Sequence, residues 1–412
     1  MKTVVIIIFS FCLVFSGPVL AKVDNCIECH KVMDSAEGPS HTITKGVHFQ
    51  KGLGCVDCHG GDVTLEDMDD VRQLETYRGV PKHDEVPAFC ARCHSDPNYM
   101  HGFDPRLPTD QLEKYKTSQH GKRLYEKQDS KVANCISCHG VHGILDAKTP
   151  ASPIYPFNIP KTCGQCHANS NYMSDYDIPT NQLMEFKESV HGHALFQKHD
   201  AGAPACNDCH GNHGATPPGV TDIAAVCGNC HSMEMTYFNE SPHKEAYAEH
   251  GIAMCGFCHG DHKVLKPHDD LVGVGKEALC VQCHSMTDGT RGIPTAEAIH
   301  KGLKDLVWAN AEAKEFIKQA DVQGMYTEEH EDTLKEAQEM LTKARSLVHT
   351  FDLKKVTQET TQGIDKANKA KIGALDLLKE VKKRRSWYVM ASIFILLLVI
   401  LLYFKIRQIE KK

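Results

Sequence analysis

The sequence has few aromatic residues and, between its two ends, no long apolar runs. Phe, Trp and Tyr make up only 7% of its 412 residues, and its formal net charge is −7. A segment so poor in apolar periodicity does not build a large conventional core by itself. The negative net charge gives no indication of nucleic-acid binding. Proline is absent after Pro294, and this absence favours long helices in the C-terminal part of the chain.

Cysteine and histidine are abundant instead, with 19 and 26 residues respectively. This cysteine content is too high for an ordinary enzyme, and the chain is too long for a small disulfide scaffold. Cys12 lies inside an N-terminal apolar run. The eighteen other cysteines all belong to nine CxxCH motifs, so none is left for another role.

The spacing of these motifs has a chemical reason. In a helical turn, residues i, i+3 and i+4 lie on one face. Two thiols can therefore form thioether bonds to one porphyrin while the histidine points at the iron, and CxxCH is the attachment signature of c-type haem. Zinc ribbons, redox dithiols and disulfides are alternatives for CxxC pairs, but they do not explain a histidine after each of nine pairs.

The motifs thus predict nine covalently attached haem c groups. The predicted thioether-forming residues are Cys26, Cys29, Cys55, Cys58, Cys90, Cys93, Cys135, Cys138, Cys163, Cys166, Cys206, Cys209, Cys227, Cys230, Cys255, Cys258, Cys280 and Cys283. The predicted proximal iron ligands are His30, His59, His94, His139, His167, His210, His231, His259 and His284.

A repeat runs through the motif-bearing segment. LPTDQLEKYKTSQHG at 107–121 returns as IPTNQLMEFKESVHG at 178–192. The repeating unit reads S-x-H, then CxxCHGxH, then a second CxxCH. Three copies begin at His120, His191 and His243, and a weaker fourth copy begins near His41 and ends at His94. One leading motif and four two-motif repeats account for all nine.

The repeated histidines outside the motifs are the natural second axial ligands. Glycine after the proximal histidine allows the turn to end with positive φ, so the next histidine is directed away from its own haem and is predicted to ligate a neighbouring one. A surface or hydrogen-bonding role is the alternative. The predicted distal ligands are His41, His120, His142, His191, His213, His243, His262 and His300.

Some distal positions stay open at this stage. His48 is a rival of His41, and His83, His101 and His300 compete for the remaining irons. Met33, Met233 and Met286 lie close to motifs, and methionine ligation would raise the potential of the haem concerned. These three residues are the alternatives to histidine.

Both ends of the chain carry targeting signals. Residues 1–21 combine one lysine, an apolar run and small residues before Lys22, and this pattern predicts a cleaved signal peptide, with an uncleaved anchor as the alternative. Residues 386–404 predict a transmembrane helix, because Trp387 to Phe404 carries no charge and has aromatic residues at both ends. A buried core helix is the alternative. Together they predict a single-pass protein of the inner (cytoplasmic) membrane with its large N-terminal part in the periplasm and residues 405–412 inside.

The predicted fold class is mainly α. A haem-cored cytochrome c domain of short helices and loops at 22–294 precedes a bundle of long helices at 295–385 and the transmembrane helix. Apolar residues at helical spacing, among them Leu303, Leu306 and Ile317, support the bundle. Gly324 and the region around Gly363 are predicted bends, and His330 is predicted to be exposed.

From Cys26 to about His300 the chain resembles the periplasmic multihaem c-type cytochromes, with NrfB-like and cytochrome c554-like haem packing. The resemblance implies an electron-transfer protein that relays electrons between an inner-membrane quinone-reactive subunit and periplasmic cytochromes c. The alternative is a multihaem reductase of small nitrogen or sulfur compounds. Ammonia-forming nitrite reductases carry a CxxCK motif that this sequence lacks, which favours an electron carrier, or a subunit of a quinol:cytochrome c oxidoreductase complex, over a stand-alone enzyme. Nucleic acid is not a predicted partner.

Overall fold

The computed structural model describes residues 24–217 and 223–410. These residues form a mainly helical structure without a β-strand, in which many short helices precede three long ones. The predicted fold class is thereby confirmed. The predicted signal peptide at 1–21 lies outside the described residues.

The chain divides into two compact units. Met1–Leu183 and Asp200–Thr216 form the first unit, and Met184–His199 and Pro217–Lys412 form the second. The helices are α1 (Asn25–Met33), α2 (Pro39–Thr42), α3 (Val47–Gln50), α4 (Cys55–His59), α5 (Met68–Arg72), α6 (Val86–His94), α7 (Pro97–His101), α8 (Gln111–Thr117), α9 (Gln119–Lys127), α10 (Cys135–His139), α11 (Ile159–His167), α12 (Ser170–Met173), α13 (Gln182–Glu188), α14 (Val190–Phe196), α15 (Cys206–His210), α16 (Ile223–Gly228), α17 (Ser232–Asn239), α18 (His243–Glu249), α19 (Met254–His259), α20 (Gly292–Val322), α21 (Glu328–Leu347) and α22 (Leu353–Glu410). Short 3-10 turns at Ile43–Lys45, Asp269–Leu271, Cys280–Gln282 and Val348–Thr350 complete the set.

The helices that carry the first motif of each repeat are single turns with defined ends. In α4, α10 and α15 the residue before the second cysteine accepts a hydrogen bond from the backbone N–H that precedes the first cysteine, at 2.7 to 3.1 Å. This contact satisfies an N–H that the short helix leaves unpaired. The residues concerned are Asp57, Ser137 and Asp208.

A glycine ends each of these turns. Gly60, Gly140, Gly211 and Gly260 follow the motif histidine directly and have φ between 70° and 79°. A side chain at such φ would be strained, whereas glycine adopts it freely. The predicted positive φ after the histidine is confirmed, and the chain turns away from the helix axis at once.

The three long helices pack along one another in the second unit. Leu303 and Leu306 of α20 are 1% and 0% exposed, and Val356 of α22 is 1% exposed. Alanines with no exposed surface, such as Ala367, let the backbones approach closely. α20 runs parallel to α22, and α21 runs antiparallel to both. These directions follow from contacts at successive levels: Gly302 with Thr360, Glu312 with Lys371, Lys343 with Glu359, and Glu336 with Lys366.

Two expectations about the bundle were wrong and one is confirmed. Gly324 has φ +75° and lies between α20 and α21, as predicted. Gly363 is not at a bend: it lies inside α22, where an added Cβ would be 2.8 Å from a methyl group of Leu306. His330 is half-buried, because the absence of a side chain at Gly373 leaves room for its ring. Gly363 and Gly373 thus permit close packing between helices.

The predicted membrane segment belongs to the longest helix. α22 continues without interruption from the bundle to Glu410, and its most apolar window has no residue buried inside the protein. Its length and composition make it a candidate membrane span.

Replacing Gly363 with alanine tests the packing of the bundle. The added methyl group lies 2.8 to 2.9 Å from the Leu306 methyls and 3.3 Å from Met340 Cβ. Over-packing of this kind costs about 1–3 kcal/mol, and the better helix propensity of alanine recovers about 1 kcal/mol. We expect the free energy of unfolding of the bundle to fall by up to about 2 kcal/mol, measured by far-UV circular dichroism of the detergent-solubilised protein.

The matched control is Gly275→Ala, where an added methyl meets no atom within 4 Å. It should leave the unfolding transition unchanged. A Gly363→Ala transition at or above that of the parent would contradict the packing described.

Candidate functional site

Four of the proximal histidines face a second imidazole from the beginning of their own repeat. The repeats, as the structure delimits them, are 46–94, 118–167, 189–231 and 241–284. The ring centroids are separated by 5.9 Å for His48 and His94, 6.0 Å for His120 and His167, 6.3 Å for His191 and His231, and 5.9 Å for His243 and His284. The planes of these rings cross at 43° to 90°.

A second set of three pairs joins the first motif of a repeat to a later segment. The centroid separations are 6.3 Å for His59 and His142, 6.1 Å for His139 and His213, and 6.1 Å for His259 and His349. The ring planes here are inclined by only 32°, 4° and 27°. The two sets therefore differ in geometry as well as in chain position.

These separations match the space that one metal ion needs between two imidazoles. A metal–imidazole bond is about 2 Å long and the nitrogen lies about 1 Å from the ring centre, so two axial imidazoles have centroids about 6 Å apart. All seven pairs fall between 5.9 and 6.3 Å. Rings in direct contact can come closer, as the tilted rings of His243 and Phe351 do at 3.9 Å. The donor sets fit bis-histidine haem iron.

Hydrogen bonds at Nδ1 orient several of these rings. His59 Nδ1 is 2.8 Å from the Gly79 carbonyl, and His349 Nδ1 is 2.9 Å from the Ser346 carbonyl. A carbonyl oxygen only accepts, so Nδ1 donates and Nε2 keeps its lone pair for a metal. Ligating histidines in metalloproteins are held in the same manner.

Burial keeps most of the paired rings neutral. It is the main cause that lowers the pKa of ten of them, namely His48, His94, His120, His139, His142, His167, His191, His213, His243 and His259. Nearby imidazoles lower several of these pKa values further, for example that of His139. A neutral imidazole is the form that binds a metal.

The S-x-H sequence is an N-capped helix with the histidine in its first turn. The hydroxyls of Ser118 and Ser189 accept from the N–H groups of Gly121 and Gly192 and donate to carbonyls of the preceding helix. Serine is a preferred N-cap residue for this reason.

Backbone hydrogen bonds lock each of these turns to the loop of the next repeat. In each bond the donor is the backbone N–H of the residue before the histidine that begins a repeat. The acceptor is the backbone carbonyl of the residue two positions after the CHGxH histidine of the next repeat. The three bonds are Val47 to Ile144 at 2.7 Å, Gln119 to Ala215 at 3.0 Å, and Val190 to Val264 at 2.8 Å. The same contact recurs because each repeat meets its successor in the same register.

The structure distinguishes between the candidates that the sequence left open near the first repeat. His48, rather than His41, faces His94. Gly46 stands where the other repeats have serine, and a side chain there would come within 2.9 Å of the His142 carbonyl. Glycine is also an accepted N-cap residue. A search for G-x-H as well as S-x-H would therefore have aligned His48 with His120.

Further contacts are described for the remaining predicted ligands and their rivals. His300 Nε2 lies 3.0 Å from Asp270 Oδ1. His262 is grouped with Glu185 and Asp261, whose ligand atoms lie within 4.8 Å of one another. His83 has a buried Nδ1 with no hydrogen-bond partner, and His101 is exposed. The side chains of Met33, Met233 and Met286 are 65%, 54% and 74% exposed.

The leading motif differs from the seven motifs whose histidines are paired. His30 Nδ1 lies 3.4 Å from Asp34 Oδ1, and within residues 24–217 and 223–410 no second imidazole forms a ring pair with it. The loop of the first repeat has Asp62 where the later loops have His142, His213 and His262. The repeat pattern therefore supplies no histidine at this site.

His349 is the residue that the sequence reasoning missed. It lies between α21 and α22, outside the motif-bearing segment, and faces His259. No repeat signature surrounds it, and only its place beside a chain-turning segment, VHTFD, distinguishes it from other histidines of the bundle.

Thiols of consecutive motifs lie side by side. The Cys90 and Cys135 thiols hydrogen-bond to each other, and this bond raises the pKa of Cys90. Cys163 with Cys206 and Cys255 with Cys227 repeat this arrangement. Within each compact unit, neighbouring motifs in the chain are thus neighbours in space.

One of the comparisons with known proteins agrees with haem binding at these sites. No family model matches the chain, and no solved structure does. A curated protein, the C-type polyheme cytochrome OmcC of Geobacter sulfurreducens, is 25% identical over 171 residues, which is 34% of this chain. The chain resembles a polyhaem cytochrome. It spans about 20% of the length of that relative, and the likeness supports covalently bound haem c and a role in electron transfer.

Removing one imidazole of a pair should free one axial position. We expect His142→Ala and His213→Ala each to convert one haem per chain from low-spin to high-spin, because no other described imidazole pairs with His59 or His139. Electron paramagnetic resonance of the oxidised protein measures this change, and the intact mass shows that all haems remain attached.

His193→Ala is the control, since His193 is exposed and follows His191 by two residues. Its spectrum should equal that of the parent. Unchanged spectra for both His142→Ala and His213→Ala would contradict the pairing.

Proposed function

We propose that this protein is a membrane-anchored multihaem cytochrome c that carries electrons through nine covalently bound haems. The observation that carries the proposal is the set of seven imidazole pairs, each with the separation that one axially coordinated metal requires. Each pair includes the histidine of a CxxCH motif, so an attachment site and an axial site coincide.

The residues that would hold the haems are the eighteen motif cysteines, the nine motif histidines and the imidazoles that face them. When bound, haem c supplies one-electron redox chemistry, with bis-histidine ligation as one determinant of its potential. A site with both axial positions taken by protein suits electron transfer better than catalysis, because a substrate has no free position on the iron. The imidazole pairs therefore favour an electron carrier over an enzyme.

The order of the motifs in space suits a relay. Along the first unit, Cys58 lies near Cys93, Cys90 bonds to Cys135, and Cys163 bonds to Cys206. Burial, followed by the neighbouring Cys163 and Cys166 thiols, raises the pKa of Cys138 to about 11. Within the first unit the proposed haem-attachment sites thus follow one another in sequence order, so that each one neighbours the next.

The bundle separates the last attachment sites from the candidate membrane span. His349 and Phe351, beside the beginning of α22, face His259 and His243. From Leu353 to Arg385 the helix rises about 50 Å, at about 1.5 Å per residue. The opposite end of the bundle is marked by the hydrogen bond between Arg385 and Gln323. Such a spacing supports an anchor that holds the haem sites away from the lipid surface.

This spacing favours a separate quinone-reactive subunit in the inner membrane over direct quinol oxidation by this chain. The span from Trp387 to Phe404 has no ionisable group other than tyrosine, so proton-coupled quinone chemistry within it lacks a proton carrier. Soluble periplasmic cytochromes c are the partners at the other end of the relay. The export signal would place residues 22–385 in the periplasm.

The haem content is the first test. The mature protein should begin at Lys22 and carry nine covalent haems, as measured by intact mass. A smaller number, or a mature chain that retains Cys12, would contradict the attachment pattern or the predicted cleavage.

Truncation after Arg385 tests the anchor. The shortened protein should be soluble, keep all its haems and be reduced by dithionite as the full-length protein is, because the bundle and every motif precede the cut. It should lose rapid reduction by menaquinol in membranes, measured by the change in haem absorbance. Full quinol-linked turnover by the soluble form would be incompatible with the anchored relay.

A reductase of small nitrogen or sulfur compounds is the second candidate, favoured by the leading motif. The repeat pattern offers Asp62 instead of a histidine there, so the His30 site is the one at which a substrate would find an axial position. Turnover of nitrite or hydroxylamine at enzyme-like rates by the purified protein alone would favour this candidate over the carrier.

A further inference from the structure

The repeats share their ligands in a head-to-tail manner. The first motif of one repeat receives its second imidazole from the loop of the following repeat, as His59 does from His142 and His139 from His213. The last repeat, 241–284, has no successor. Its first motif, ending at His259, therefore needs a second imidazole from outside the array.

His349 stands in the place of that missing histidine. Its ring centroid lies 6.1 Å from that of His259, and the two planes are inclined by 27°. The corresponding pairs with His142 and His213 have 32° and 4°, whereas pairs formed within a repeat are inclined by 43° or more. Its inclination therefore groups the His349 pair with those between repeats, while its distance fits the space for one metal in either set.

The end of α21 holds this ring in position. His349 Nδ1 donates to the Ser346 carbonyl at 2.9 Å. The hydroxyl of Thr350, a residue that is 4% exposed, donates to the Leu347 carbonyl at 2.7 Å and fastens the turn at the end of the helix. Nε2 of His349 is thereby left as the nitrogen available to a metal.

The same turn also covers the beginning of the last repeat. Phe351, at φ +50°, lies with its ring centroid 3.9 Å from that of His243. In the other repeats the residue before this histidine donates its N–H to the next repeat. Here that residue is Pro242, which has no N–H to donate. The last repeat is thus adapted to a neighbour other than a further repeat.

We propose that the turn 348–352 caps the haem array, with His349 as the second axial ligand of the haem iron held by His259. Terminal repeats of repetitive proteins need such a cap, because the face that meets a neighbour is otherwise exposed. The bundle that leads to the membrane span is then bound to the array through an iron bond as well as through apolar contacts. This inference rests on the proposed haem binding.

The test compares His349→Ala with His330→Ala in the full-length, haem-loaded protein. His330 is a matched control, because it is also a histidine of the bundle but lies on α21 with its ring against Gly373. We expect His349→Ala to gain one high-spin haem per chain by electron paramagnetic resonance, and His330→Ala to gain none. Added imidazole should return the His349→Ala protein to a fully low-spin spectrum, which a general loss of folding would not allow.

His349→Met adds a second readout. Methionine in place of histidine keeps the iron low-spin and raises its potential, so a redox titration should show one haem moved to a higher potential. Haem attachment is measured by mass in every variant. A parent protein without haem would refute the proposed function itself. A fully haem-loaded His349→Ala protein with the parent spin state, or an equal gain of high-spin haem in His330→Ala, would refute the cap alone.

Discussion

The structure depends on pairs of imidazoles brought to one metal position from separate parts of the chain. Each of the seven described pairs joins a motif histidine to a residue between 40 and 90 positions away. His231 and His191 have the shortest separation, and His259 and His349 have the longest. A bound metal would turn each pair into a strong long-range cross-link. In small metal-dependent domains the free energy of binding is also free energy of folding, and the motif-bearing segment has little else to hold it together.

The motif-bearing segment and the helical bundle are stabilised by different kinds of contact. Around the motifs the helices are mostly one or two turns long, and capping contacts such as those of Ser118 and Asp57 define their ends. In the bundle, by contrast, leucines such as Leu306 and fully buried alanines pack along three long helices. Loss of haem should therefore unfold the motif-bearing segment more readily than the bundle, because the apolar clusters around the motifs, such as that of Tyr115, Leu124 and Val132, are smaller than those of the bundle.

Electron transfer and architecture follow from one arrangement. Imidazole pairing between successive repeats accompanies a register that brings thiols of consecutive motifs together, as for Cys90 and Cys135. The last repeat meets the bundle within the second unit, since His349 and Phe351 contact it. A helix of about 50 Å then separates this point from the candidate membrane span.

The sequence by itself determined the CxxCH motifs, the repeat, the helical class and the candidate span, because CxxCH spacing, glycine after histidine and an uncharged apolar run act locally. It did not determine which imidazole faces which motif. His48 was not preferred to His41, because glycine replaces the capping serine at Gly46, and His349 was missed because it carries no repeat signature. Gly363 was misread as a bend, since a glycine that ends a helix and one that admits a neighbouring leucine look alike in sequence. Only tertiary packing separates such cases, because they depend on contacts between residues far apart in the chain.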